Sequence, residues 1–166
     1  MHPRVLVFDL IGVLAEPSWR ELARAPARAP WTALKTGMIA EEAFWSPEEA
    51  AAYRRVLRLR GDRLALLRRL RDRGDRILVA TNLCAAWADH LAATIEPDLV
   101  ERWLVSARLG VAKPSPAFWA EVAAWAPPGS PVIDDQRPNC VAAEAAGFTA
   151  IWAWRGIDLA ARLLTS

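Results

Sequence analysis

The sequence predicts an α/β domain of three layers built on a mainly parallel, five-stranded sheet. Five short runs, at about 4–9, 76–81, 102–106, 131–134 and 149–153, are apolar on both faces, as strands buried between helical layers are. The segments between most of them carry helix start and stop signals. Several runs also end in polar groups: Asp9 after the first, Thr81-Asn82 after the second, Ser106 leading on to Lys113 after the third, and Asp134-Asp135 after the fourth. In a parallel sheet these ends share one edge, where open α/β folds bind ligands.

The helices follow in order. Asp62 is placed to cap a helix over 63–73 whose Leu64, Leu66, Leu67 and Leu70 make one apolar side, and Gly74 ends it. Residues 83–94 read as a second helix, stopped before Pro97. Ser115-Pro116 opens a third, closed by Pro127-Pro128-Gly129, and Pro138 opens a fourth that Gly147 terminates. A short helix over 158–164 completes the alternation. Residues 16–61 break it, with several Pro, helically spaced Trp and Arg, and no strand-like run, so they read as a helical insert. Its clearest start is Ser46-Pro47-Glu48-Glu49, where Ser46 and Glu49 have capping-box spacing and Pro47 takes the first helical position. The Ala/Arg/Pro stretch 23–30 is the only linker-like composition.

The chain has 166 residues, 54% of them hydrophobic and 24% charged, which suits one soluble domain with a core. Only four apolar residues, Val5 to Phe8, precede Asp9, too few for a signal-peptide core, and no stretch approaches the roughly 18 apolar residues of a membrane span. A cytoplasmic protein without a membrane role is expected. Cys84 and Cys140 stand far apart, and neither they nor His2 and His90 have zinc-ligand spacing. The net charge of +2 gives no global attraction to nucleic acid, and the Arg-rich segment 54–76 reads as the solvated face of two helices, without interleaved aromatics to stack bases. Arg54 and Arg58 have the alternative of reaching from the insert into the site.

Carboxylates at the ends of the first and fourth strands, a hydroxyl after the second and an ammonium beyond the third make a set suited to phosphoryl transfer. Asp9 and Asp135 are placed to share a hard divalent ion such as Mg²⁺. Lys113 would neutralise the phosphate and the crowded carboxylates. Thr81 and nearby amides would hold the phosphoryl oxygens while Asp9 attacks to form an aspartyl-phosphate.

The chain resembles the haloacid dehalogenase (HAD) superfamily. The resemblance rests on Phe8-Asp9-Leu10-Ile11-Gly12-Val13-Leu14, on Ala80-Thr81-Asn82, on Gly110-Val111-Ala112-Lys113-Pro114-Ser115-Pro116, and on Ile133-Asp134-Asp135-Gln136-Arg137-Pro138-Asn139 followed by Ala145-Ala146-Gly147. It implies one Rossmann-like domain over 1–166, with 16–61 as a shortened helical cap of the C1 type. It implies Asp9 as nucleophile, Thr81, Asn82 and Lys113 as substrate-binding groups, and Mg²⁺ as cofactor. The ion would be held by Asp9, the Ile11 backbone carbonyl and Asp135, with Asp134 supporting it through water or a neighbouring ligand. The implied activity is a phosphatase for a small phosphorylated metabolite.

One residue departs from that pattern. Phosphatases of the superfamily usually have a second Asp, the general acid, two residues after the nucleophile, where this chain has Ile11. Losing such an acid removes roughly 10²- to 10⁴-fold in rate, about 3 to 5 kcal/mol. Phosphoanhydrides, acyl phosphates, aryl phosphates and sugar 1-phosphates, whose leaving groups depart more easily, suffer least. Halide-displacing members also lack that Asp but do not keep the acidic pair that Asp134-Asp135 provides, so a dehalogenase is the alternative, and an inactive binding or regulatory protein a third. Trp19, Trp31, Trp45 and Trp87 could line a pocket over Asp9. Core packing or a subunit interface, as in a homodimer, is the favoured role. Cys84 reads as a small buried residue.

Overall fold

The computed structural model describes residues 3–17, 31–154 and 157–165. Its main sheet holds β1 (Val5–Phe8), β4 (Arg76–Thr81), β5 (Arg102–Val105), β6 (Pro131–Asp134) and β7 (Thr149–Trp152) in the order β5-β4-β1-β6-β7. Every pairing in it is parallel, with Val5 opposite Arg76 and Val7 opposite Val132. β1 is central because all four of its side chains are apolar and buried. Leu6 and Phe8 face one helical layer, with Leu67, Leu70 and Leu91. Val5 and Val7 face the other, with Phe118, Trp119 and Val122. Both faces of the sheet are thus covered, and the polar strand ends collect at one edge.

The expected crossovers are present as helices Gly61–Asp72, Ala85–Ala92, Pro116–Ala123, Arg137–Ala145 and Leu159–Leu164. Their end signals act much as the residue types predict. Ser115 Oγ accepts from the Ala117 N–H at 3.3 Å, Asp158 Oδ1 accepts from Ala161 N–H at 2.9 Å, and Gly74 follows its helix with φ +91°. Asp62 is different. It lies inside the first helical turn rather than at the cap, and its carboxylate pairs with Arg60 at 3.0 Å.

The insert is helical, with Trp31–Lys35, Glu41–Phe44 and Pro47–Val56, and the capping box forms: Glu49 N–H donates to Ser46 Oγ at 3.2 Å and Ser46 N–H to Glu49 Oε2 at 2.9 Å. It is not wholly helical, which corrects the sequence expectation. β2 (Ala15–Pro17) and β3 (Leu57–Leu59) pair antiparallel as a two-stranded ribbon at its base. Three-residue strands have too short a pattern to register as a run. Trp19 and the 23–30 stretch lie outside the described residues.

Among the described residues no helix is long and apolar enough to cross a membrane. The Arg-rich segment is more paired than a solvated face: Arg60 meets Glu16 and Asp62, Arg68 meets Glu96, and Arg76 meets Glu101 at 2.5 Å. Arg73 reaches Asp75 at 2.6 Å.

Candidate active site at the carboxyl ends of the central strands

Asp9 directly follows β1, and its backbone N–H donates to Ile133 O of β6 at 2.8 Å, so its place beside the end of β6 is fixed by the sheet itself. Lys113 arrives from the loop after Gly110 and is buried to 5% exposure. Its ammonium donates to Asp9 Oδ1 at 2.9 Å, to Asp134 Oδ2 at 2.6 Å and to Ala80 O at 2.8 Å. All three ammonium protons therefore have acceptors.

Adjacent acids differ in kind. Asp134 Oδ1 accepts from Gln136 N–H at 2.8 Å and from Asn139 Nδ2 at 3.0 Å, while Oδ2 takes Lys113 and Asn139. Asp135 Oδ2 accepts from Gln136 Nε2 at 2.8 Å, whereas its Oδ1 is buried with no hydrogen-bond partner. Asp9, Asp134 and Asp135 each bring a carboxylate oxygen within 4.8 Å of the others. A buried, unpartnered carboxylate oxygen in such a cluster is what a hard cation satisfies. These residues fit Mg²⁺.

The electrostatics agree. The Asp9 carboxyl is raised to about 7, chiefly by burial, with Lys113 opposing the rise and Asp134 and Asp135 adding to it. Burial also raises Asp135. Burial alone would lower Lys113, but the two carboxylates it touches hold it above its ordinary value. The site is thus short of positive charge on the Asp135 side, where Lys113 does not reach by any hydrogen bond.

Thr81 ends β4 and is buried. The Asn82 carboxamide clasps the main chain of Lys113: Nδ2 donates to Lys113 O and Lys113 N–H donates to Oδ1, both at 2.8 Å. Both ends of the carboxamide are thus engaged by the Lys113 backbone. Ile11 is half-buried against the core and forms an isolated bridge to Ala15 whose hydrogen bonds use Leu10 O and Gly12 N–H, not the Ile11 carbonyl. Gly12, at φ +94°, has no room for a side chain, since a Cβ would stand 2.4 Å from Asp135 Oδ2. Asn139 was not singled out by its sequence context. A helix opening at Arg137-Pro138 puts it in the first turn, which is the signal that would have found it.

The remaining candidates settle elsewhere. Arg54 pairs at 2.9 Å with Glu41, which also accepts from Trp87 Nε1 at 2.7 Å, and Arg58 is exposed on β3. Trp31, Trp45 and Trp87 pack on one another and on Phe44 and Tyr53, with Trp45 and Trp87 in the core. The core-packing reading fits Trp45 and Trp87, while Trp31, though packed on them, is 37% exposed. Cys84 is buried, and burial pushes its thiol up to about 12.

No protein-family model and no curated protein matches the chain. Solved structures do. A HAD family enzyme from Bacteroides thetaiotaomicron, in complex with magnesium and inorganic phosphate, superposes with a TM-score of 0.80 at 19% identity, over 98% of this chain and 100% of that one. This is a HAD-like fold. A predicted HAD-like hydrolase from Porphyromonas gingivalis gives 0.83 at 19% identity over the whole of both chains. An L-2-haloacid dehalogenase from Xanthobacter autotrophicus gives 0.64 at 17% identity over 90% of this chain and 76% of that one. Within the HAD-like fold, Asp9, Lys113 and the Asp134-Asp135 pair stand together at the ends of β1 and β6.

Proposed function

We propose that the chain is a HAD-like hydrolase, a Mg²⁺-dependent phosphatase that acts on a small phosphorylated metabolite through an aspartyl-phosphate at Asp9. The observation that carries this reading is the unpartnered, buried Asp135 Oδ1 beside Asp9, with Lys113 bound to Asp9 and to the saturated Asp134. Asp9 and Asp135, with the Ile11 carbonyl, would hold the ion, and Asp134 would support it by fixing Lys113. The ion supplies Lewis-acid stabilisation of the phosphoryl oxygens. In this reading residues 16–61 are a reduced cap on a single domain.

Lys113 holds one oxygen of Asp9, which orients the other for attack on phosphorus. Thr81 and neighbouring amides donate to the phosphoryl oxygens. Lys113 keeps its proton throughout, because two carboxylates raise its basicity, so it acts as a fixed charge and not as an acid. With Ile11 in place of an acid, the departing oxygen receives no proton from that position.

The test is phosphate release from aryl, acyl and sugar phosphates, with Mg²⁺ or with EDTA, comparing the wild type with Asp9→Asn. Metal-dependent turnover that disappears in Asp9→Asn is expected. No turnover above the variant's background overturns the reading. Metal-independent chloride release from 2-chloropropionate would then favour halide displacement, in which the acid missing at Ile11 is not needed because a halide leaves without a proton.

A further inference from the structure

A groove of about 1140 Å³ borders the acidic cluster at Asp135, with Gly12, Trp152, Trp154, Arg60 and Arg63 also among its walls. That exceeds the volume a small ligand needs. Trp152 and Trp154 are 43% and 55% exposed, although large aromatic side chains ordinarily bury most of their surface. The Trp152 indole is also tethered: its Nε1 donates to the Asp135 carbonyl oxygen at 2.9 Å, so a ring is fixed next to the backbone of the proposed metal ligand. The other wall is the base of the insert, where Arg60 is balanced by Glu16 and Asp62. The groove therefore offers indole surface near Asp135 within a charged lining in which Arg60 is compensated, while Arg63 lies 3.6 Å from Asp62 and keeps a buried Nε without a hydrogen-bond partner.

We propose that this groove receives the leaving group and that the leaving group is a planar aromatic ring, making the substrate class aryl phosphate monoesters. The inference rests on the phosphatase reading and goes beyond it by naming the substrate. Two independent observations converge on that class. Trp154 lines the groove half-exposed and Trp152, held at Asp135 O with the Arg137 guanidinium 5.6 Å over its ring, provides a second indole, and Ile11 leaves the departing oxygen without a proton donor, a deficit that a phenolic oxygen tolerates and an alkoxide does not. An Asp9 oxygen bonds to phosphorus as the phosphorus–oxygen bond to the aryl group breaks, and the electron pair leaves with the phenolate. Water then attacks the aspartyl-phosphate, returning the Asp9 carboxylate and dihydrogen phosphate, so that atoms and charge balance without an added acid.

Two measurements separate this proposal from the reading beneath it. With Asp9→Asn as an inert host in Mg²⁺, calorimetry should show phenyl phosphate binding about 10-fold tighter than methyl phosphate, and Trp154→Ala should erase that preference while Trp154→Phe keeps it. Equal binding of the two esters, or a preference that survives Trp154→Ala, overturns the groove assignment. On the otherwise wild-type enzyme, Trp154→Ala should lower kcat/KM for phenyl phosphate about 10-fold and leave acetyl phosphate unchanged; an equal fall for both also overturns it. Loss of all turnover in the wild type, with the binding preference intact, would instead overturn the phosphatase reading and leave the groove standing.

Discussion

Asp134 and Asp135 are chemically the same residue, and their neighbours divide the work between them. Asp134 is fully buried and has a donor on each oxygen, so it builds the site by holding Lys113 and the start of helix Arg137–Ala145. Asp135 keeps a bare oxygen. That the pair ends a strand is legible from Pro131-Val132-Ile133 alone, as Asp9 is from β1. Asn82 and Asn139 carry roles that no local pattern announces, because their partners lie 31 residues away at Lys113 and on the far side of a strand-to-helix turn. Gly12 tests the division. Its Cβ would drive Asp135 aside and its positive φ disfavours any side chain, so Gly12→Ala should weaken Mg²⁺ binding at least 10-fold while costing only about 1–2 kcal/mol of stability. Mg²⁺ titration by calorimetry beside urea unfolding checks both; unchanged affinity would remove Asp135 from the ion's ligands.

At the scale of elements, strand and helix placement followed from apolar runs and from caps. The ribbon of β2 and β3 did not, because three-residue strands are defined by their partner and not by their own sequence. The attachment of the insert was equally hidden. Ser106 is fully buried, where it accepts from Leu83 N–H at 3.0 Å and donates to Lys35 O at 2.5 Å, so one hydroxyl ties helix Trp31–Lys35 to the segment that follows β4. Beside it Gly37 approaches so closely that a Cβ would stand 2.2 Å from Ala107 O. Ser106→Ala leaves a buried amide and a carbonyl without that partner, a loss of about 1–3 kcal/mol. The urea midpoint should fall accordingly, and amide exchange should quicken first in residues 31–44; uniform exchange would mean the insert is held by its aromatic packing alone.

Among the described residues, apart from the single buried Glu41 paired with Arg54, buried charges gather around Asp9 and around Asp75, and the two groups answer to different demands. Around Asp9 the charges are incompletely satisfied, which is unfavourable for folding and useful for binding a cation. Around Asp75 they are complete. Asp75 is 4% exposed and accepts from Arg4 at 3.1 and 3.2 Å and from Arg73 at 2.6 and 3.0 Å. The same two guanidiniums donate onward to Leu163 O and Leu164 O at the end of the last helix, fastening it to β4 and to the residue before β1. This cluster joins the opposite edge of the sheet from the acids, so its removal should act on folding without touching the site. Asp75→Ala strands two arginines against a half-buried surface, and breaking such a network is worth about 3 kcal/mol. Thermal unfolding should show a correspondingly lower Tm, while Mg²⁺ affinity of the folded protein at low temperature stays at the wild-type value. A matching loss of Mg²⁺ affinity would mean that the two ends of the sheet are coupled, and that the strain around Asp9 is held in place by the closure of the chain at its far edge.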